Sequence, residues 1–170
     1  MNKISKKKIY GVVICYNSEP VIKDLYERID QENFDKIYFF DDNSTDNSYE
    51  IAKRFDWSVI KNQTNLGHGG NLKKAIKTAF TDGADYVLEI HADNQYNPNL
   101  ITKAKELINQ DYALITGSRF VNKNPYKEEG MPFLRYFSNI VMSNFTKKIL
   151  SIELTEFHTG FKIFGRNFYQ

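Results

Sequence analysis

The sequence has a single cysteine, no long apolar run, no internal repeat and almost no excess of either charge. A lone Cys15 excludes an intramolecular disulfide and a zinc cluster built on thiolates, and it suits a reducing compartment. No stretch nears the ~18 consecutive apolar residues that a membrane span needs, and no secretory leader opens the chain, so the expectation is a cytoplasmic protein. The 23 Lys and Arg against 21 Asp and Glu leave a formal net charge of +2, too little to draw a nucleic acid. The basic cluster Lys3, Lys6, Lys7 and Lys8 lies at the N-terminus and reads as a solvated tail rather than a lipid or nucleic-acid patch. Two common phosphate loops are missing as well: there is no Gly-Lys-Ser/Thr and no G-x-G-x-x-G.

What is present is enough for an ordered core. A hydrophobic content of 41% in 170 residues suits one globular domain over residues 1–170. Five runs rich in β-branched and aromatic residues, Ile9 to Tyr16, Lys36 to Asp42, Trp57 to Asn62, Tyr86 to Ala92 and Tyr112 to Arg119, read as strands. Between them lie apolar faces at helical spacing: Val21, Ile22, Leu25, Tyr26 and Ile29 behind Pro20; Ile51, Ala52 and Phe55; and Leu72, Ala75, Ile76, Ala79 and Phe80. Apolar strands alternating with helices predict an α/β fold, a mostly parallel sheet covered by helices on both faces. The polar stretch VNKNPYKEEGM, Val121 to Met131, reads as a mobile loop that contributes little to a core.

In such a sheet ligands bind outside the carboxyl ends of the strands, and the polar groups gather there. The first strand runs into Cys15-Tyr16-Asn17, the second into Asp41-Asp42-Asn43-Ser44, the fourth into His91-Ala92-Asp93 and the fifth into Gly117-Ser118-Arg119. Adjacent Asp41 and Asp42 repel unless one accepts hydrogen bonds from a ligand, such as the ring N–H of a base. Ser44, Asp46 and Ser48 are equally good helix caps, and on this stretch alone the two readings stand level. Gly67, Gly69 and Gly70 in NLGHGGNLKKA let backbone N–H groups approach an anion at a helix start, while His68 reads as a loop residue. In EIHADNQYNP, Asn97 and Pro98 are a helix cap and first turn. His91, Asp93 and Gln95 need another reason. Oxygen donors from Asp93 and Gln95 suit a hard divalent cation, and His91 favours Mn²⁺ over Mg²⁺. In LTEFHTGFKIF, Glu156 beside an aromatic and His158 reads either as a general base or as part of a surface turn before a final strand.

The stretches VVICYNSEPVI, FFDDNSTDNS, NLGHGGNLKKAI, YVLEIHADNQYNP, GSRF and EFHTGFKIF, in that order over residues 9–166, resemble the family 2 inverting glycosyltransferases of GT-A fold, especially the dolichyl- and polyprenyl-phosphate sugar transferases. The resemblance implies a GT-A-like catalytic domain that binds a UDP- or GDP-linked sugar. It implies that Cys15, Tyr16, Asn17, Asp41, Asp42, Asn65 and Gly70 line the nucleotide site. His91-Ala92-Asp93 falls on the family's Asp-x-Asp, with Asp93 and Gln95, joined by His91, at a Mn²⁺ or Mg²⁺ ion and the diphosphate. Arg119 and Arg135 would meet phosphate, and Glu156 falls on the acidic residue near the acceptor, so that Asp93 and Glu156 carry the catalysis. Three departures stand out: His91 replaces an aspartate, Ser18 stands where an acidic residue often follows Tyr-Asn, and the chain stops at Gln170 where relatives continue.

The reading that follows is transfer of a sugar from a nucleoside diphosphate to a lipid-phosphate or glycan acceptor. It predicts peripheral contact with the cytoplasmic face of a membrane and a catalytic domain trimmed at its C-terminus. The competing classes are a non-catalytic nucleotide-sugar-binding module and a sugar nucleotidyltransferase, the latter weakened because CYNSEP lacks the Gly, Arg and Lys of such loops. Phe133, Phe137, Ile140, Val141, Phe145 and Ile149 form an apolar stripe at helical spacing that reads equally as core or as an acceptor-facing surface.

Overall fold

The β-branched and aromatic runs form the strands. The computed structural model describes residues 6–93, 96–121, 125–128, 131–151, 154–157 and 159–169, so Lys3, Gln95 and His158 lie outside the described residues. Strands β1 (Ile9–Cys15), β2 (Lys36–Asp41), β3 (Ser58–Lys61), β4 (Tyr86–His91), β5 (Leu114–Thr116) and β6 (Lys162–Gly165) make one sheet in the order β3-β2-β1-β4-β6-β5. β1 lies parallel to both β2 and β4, and β2 is parallel to β3. β6 runs antiparallel to β4, a reversal that the expectation of a mostly parallel sheet accommodates.

Residues alternate across a strand, and both sides of this sheet are covered. Val12, Ile14, Tyr38, Phe40 and Val87 pack with Ala75, Ala79 and Phe80 of α3 (Gly67–Thr81). On the opposite side Phe39 stacks on Trp57, whose ring meets Tyr26 of α1 (Ile22–Arg28) edge-on. The remaining helices of this part are α2 (Ser48–Ala52), α4 (Ile101–Asn109) and, after β6, Arg166–Tyr169. Gly11 in mid-β1 has a packing reason: a Cβ there would come 3.1 Å from the Ile90 side chain.

The chain divides into two units, Met1–Ile115 with Lys162–Gln170, and Thr116–Phe161. The second holds α5 (Pro125–Glu128) and α6 (Phe133–Leu150). Two expectations change here. The fifth strand is shorter than the Tyr112 to Arg119 run, because Asp111 turns with φ 59° and Tyr112 is half exposed. The stretch from Val121 to Met131 is not wholly a loop apart from a core. Pro125 opens α5 and is buried, the Met131 side chain is buried, and the Met131 N–H donates to the Pro125 carbonyl at 3.1 Å; residues 122–124 and 129–130 lie outside the described residues.

Candidate active site

Strand order places the topological switch between β1 and β4, whose chain crossings leave in opposite directions, and such a switch opens a crevice at the carboxyl edge. The loops there are tied to one another by hydrogen bonds. Asn17, with φ 50°, donates its N–H to Ser44 Oγ (2.9 Å) and accepts at Oδ1 from the Thr45 N–H (2.9 Å). Glu19, one place beyond the expected acidic position, accepts from both the N–H and the side chain of Asn47. The caps foreseen for α2 serve this join: Ser48 Oγ accepts from the Ser18 N–H, and Asp46 accepts from the Glu19 and Ser48 N–H groups. Burial works against the Asp46 carboxylate, but the Ser48 and Glu19 hydrogen bonds hold its carboxyl below the usual range.

Both paired aspartates are buried, and the chain itself supplies much of what they need. Asp41 accepts from the Ser44 N–H (3.1 Å) and lies 3.7 Å from Lys61 Nζ, leaving Oδ1 without a partner. Asp42 Oδ1 accepts from Asn62 Nδ2 (2.8 Å) and from the Leu66 N–H (2.9 Å). Asn62 also donates to Asn71, which in turn donates to the Phe40 carbonyl. The repulsion foreseen between the two carboxylates is therefore met by internal donors. The same contacts fix the loop leading into α3. A cleft of about 200 Å³ opens beside this network, lined by Cys15, Tyr16, Asp42, Asn65, His68 and Asn71 among others. Tyr16 is half exposed at its rim. Cys15 is buried, and burial raises its thiol, so it lines the cleft without being an activated nucleophile.

At the other side of the switch the Ala92 N–H continues the pairing with Ile14, and Ala92 is buried. Asp93 follows on an exposed turn. Its carboxylate has the hard oxygen chemistry that Mn²⁺ or Mg²⁺ accepts. His91 turns elsewhere: its Nε2 lies 3.1 Å from Glu89 Oε1, and His68 Nε2 lies 3.3 Å from the same oxygen. Neither contact has hydrogen-bond geometry, so both Glu89 oxygens and His91 Nε2 are buried without a hydrogen-bond partner. Reading the sequence missed this cluster, setting His68 aside and passing over Glu89. The available signal was a carboxylate in the middle of an apolar strand, two residues from His91 and so on the same face.

Arg119, Arg135 and Glu156 belong to the second unit. Arg135 stands exposed on α6. Glu156 has no exposed surface, so it is no surface turn. Its Oε2 accepts from the Arg119 N–H (2.8 Å), its Oε1 is gripped by the Arg119 guanidinium, and Asn139 Nδ2 adds a bond at 3.1 Å. Burial pushes its carboxyl up, but the Arg119 and Asn139 contacts outweigh this and hold it below the usual range. A carboxylate so held is a weak proton acceptor and a strong anchor for Arg119.

Residues 11–170 match the model of glycosyl transferase family 2. The chain belongs to that family. It is 29% identical, over 96% of its length, to the UDP-N-acetylglucosamine--dolichyl-phosphate N-acetylglucosaminyltransferase of Methanococcus voltae, of which it spans 72%. It is 27% identical over 75% of its length to the dolichol-phosphate mannosyltransferase of Pyrococcus furiosus, spanning 37% of that protein. Among solved structures, S. aureus TarS in complex with UDP-GlcNAc superposes on 71% of the chain and 38% of TarS, with TM-score 0.53 and 25% identity. The glucosyl-3-phosphoglycerate synthase of Mycobacterium tuberculosis, solved with Mn²⁺, uridine diphosphate and glucosyl-3-phosphoglycerate, matches 95% of the chain and 58% of its own, with TM-score 0.66 at 16% identity. That likeness shows the fold alone. The family 2 chain thus has the GT-A glycosyltransferase architecture expected from its motifs.

Proposed function

We propose that this family 2 glycosyltransferase moves a sugar from a UDP-linked donor to a phosphate-bearing lipid. The observation that carries the reading is the cleft at the sheet's carboxyl edge, lined by Tyr16, Asp42 and Asn65, in a chain similar to a dolichyl-phosphate sugar transferase. In this reading Tyr16, Asn17, Asp42 and Asn65 receive the nucleoside, with Cys15, Asp41 and Gly70 shaping the walls. Ala92 and Asp93 approach the diphosphate, and Asp93 with Gln95 would hold Mn²⁺ or Mg²⁺, while His91 is turned to Glu89. Such an ion, when bound, offsets charge on the departing diphosphate. An acceptor phosphate is already an anion. Its oxygen attacks the anomeric carbon in line while the bond to the diphosphate breaks, the electron pair leaving on the diphosphate oxygen; no base is required. That removes the need for a free Glu156. Its role is to hold Arg119, which with Arg135 provides cations for phosphate groups.

The test is calorimetric titration of the chain with UDP and with GDP in the presence of Mn²⁺, followed by measurement of slow hydrolysis of UDP-GlcNAc. UDP is expected to bind more tightly and its sugar conjugate to be turned over. Equal, undetectable binding of both nucleotides would overturn the reading, and binding without any turnover would leave a nucleotide-sugar-binding module.

A further inference from the structure

We propose that His68, Glu89 and His91 form a binding site of their own for a late first-row dication of the Zn²⁺ or Co²⁺ type. The site goes beyond the donor reading and stands without it. Three donor atoms, one from each residue, lie within 4.8 Å of one another. Val12 pairs with Glu89 and Ile14 with His91, and both valine and isoleucine face α3, so the sheet aims Glu89 and His91 toward the helix that carries His68. The two imidazoles are stacked, with centroids 5.2 Å apart and planes 22° from parallel, and both present Nε2 to one carboxylate oxygen.

Glu89 is 3% exposed, and a buried carboxylate is costly unless a cation or donors meet it. Here no hydrogen bond reaches either of its oxygens. The separations have a simple meaning for an ion. Bonds of about 2.0–2.1 Å in a tetrahedron put neighbouring ligand atoms about 3.3 Å apart. The observed carboxylate–imidazole distances are 3.1 and 3.3 Å. Two imidazoles and one carboxylate favour Zn²⁺ or Co²⁺ over Mg²⁺, which prefers oxygen. Three protein ligands leave a fourth position open, and His68 also borders the cleft. The ion would pin the first turn of α3, where Gly67, Gly69 and Gly70 give little helical stability, to the end of β4.

The experiment is a Co²⁺ titration of the nucleotide-free chain followed by visible absorption, with displacement by Zn²⁺. The intact chain is expected to give a tetrahedral Co²⁺ spectrum that Zn²⁺ abolishes. Glu89→Gln and His68→Gln should each weaken binding by more than about tenfold, which is the loss that even an outer-sphere partner can cause, while Asp93→Ala keeps the spectrum. Because His68 is exposed, His68→Gln remains informative if Glu89→Gln fails to fold. A chain that yields no such spectrum, as a proton shared between the rings and Glu89 would give, overturns the proposal. So does a spectrum indifferent to His68→Gln, or one lost in Asp93→Ala. UDP binding measured with Mn²⁺ is a readout separate from the Co²⁺ spectrum of the nucleotide-free chain, so failure of either reading is told apart from failure of the other.

Discussion

Asp42 combines two tasks that single substitutions can separate. Its Oδ1 organises the loop before α3 through Asn62 and Leu66, and its side chain borders the cleft. Asp42→Ala leaves the Leu66 N–H and one N–H of the buried Asn62 amide without an acceptor, which should cost about 1–3 kcal/mol of stability and abolish UDP binding in calorimetry. Asp42→Asn keeps an acceptor oxygen at the same place, so its melting temperature should stay near that of the parent; any loss of UDP affinity then reports on the charge alone. Glu156 offers a pH test. Its folded carboxyl lies below its ordinary value of 4.5, so the stabilisation it gives is fully present above that value and is lost as pH falls through the lower folded one. At neutral pH Glu156→Gln should therefore be less stable by about 3 kcal/mol, since the Arg119 cation loses its buried partner. The gap between parent and variant in thermal melts should close as pH drops below 4.5. A gap that stays constant into acid would show that the Arg119 pair does not stabilise the fold.

The opening of α3 shows how an element can be legible while its function is not. Apolar spacing from Leu72 to Phe80 marks the helix in the sequence, and the glycines mark its start. Gly67 takes φ 71°, where a side chain is strained, and its N–H donates to Asn65 Oδ1. Gly70 has a different reason: a Cβ would sit 2.9 Å from Leu66 Cβ. Alanine normally stabilises a helix relative to glycine, but here it must displace Leu66, whose N–H is bonded to Asp42. Gly70→Ala should thus destabilise by about 1 kcal/mol in denaturant titration and weaken UDP binding; a more stable variant would show that the loop yields freely. Periodicity reveals strands, helices and their carboxyl ends because it records which face is buried. It does not record partners across the sheet. Glu89 and His91 meet His68 only through the seating of α3 on the sheet, so nothing local in the sequence joins His68 to them. A final strand after Glu156 is legible, but the antiparallel pairing of β6 with β4 is not, since four residues do not show which way a strand runs.

At the scale of the molecule, the apolar surface of α6 needs an explanation. Phe133, Phe137, Val141, Phe145 and Ile149 are each about half exposed or more, while polar Asn139 and Ser143 on the same helix are buried. The stripe that could have been core is therefore turned outward, and the inward side is organised around Glu156, to which Asn139 donates. Exposing five large apolar side chains on one helix is unfavourable in water unless the surface meets something apolar. No helix among the described residues is long and apolar enough to cross a membrane. For a transferase acting on a lipid phosphate, a helix lying in the headgroup region is the economical way to reach the acceptor, with Lys147 and Lys148 at its end toward anionic lipid. The chain should co-sediment with vesicles containing polyprenyl phosphate and anionic phospholipid. Phe137→Glu combined with Phe145→Glu should abolish that binding with little change in melting temperature, because both rings are already in solvent. UDP affinity should be retained in the double variant, since neither residue borders the cleft beside Asp42. A double variant that unfolds would make the stripe a packing surface, and a parent chain that ignores the vesicles would remove the lipid from the acceptor assignment.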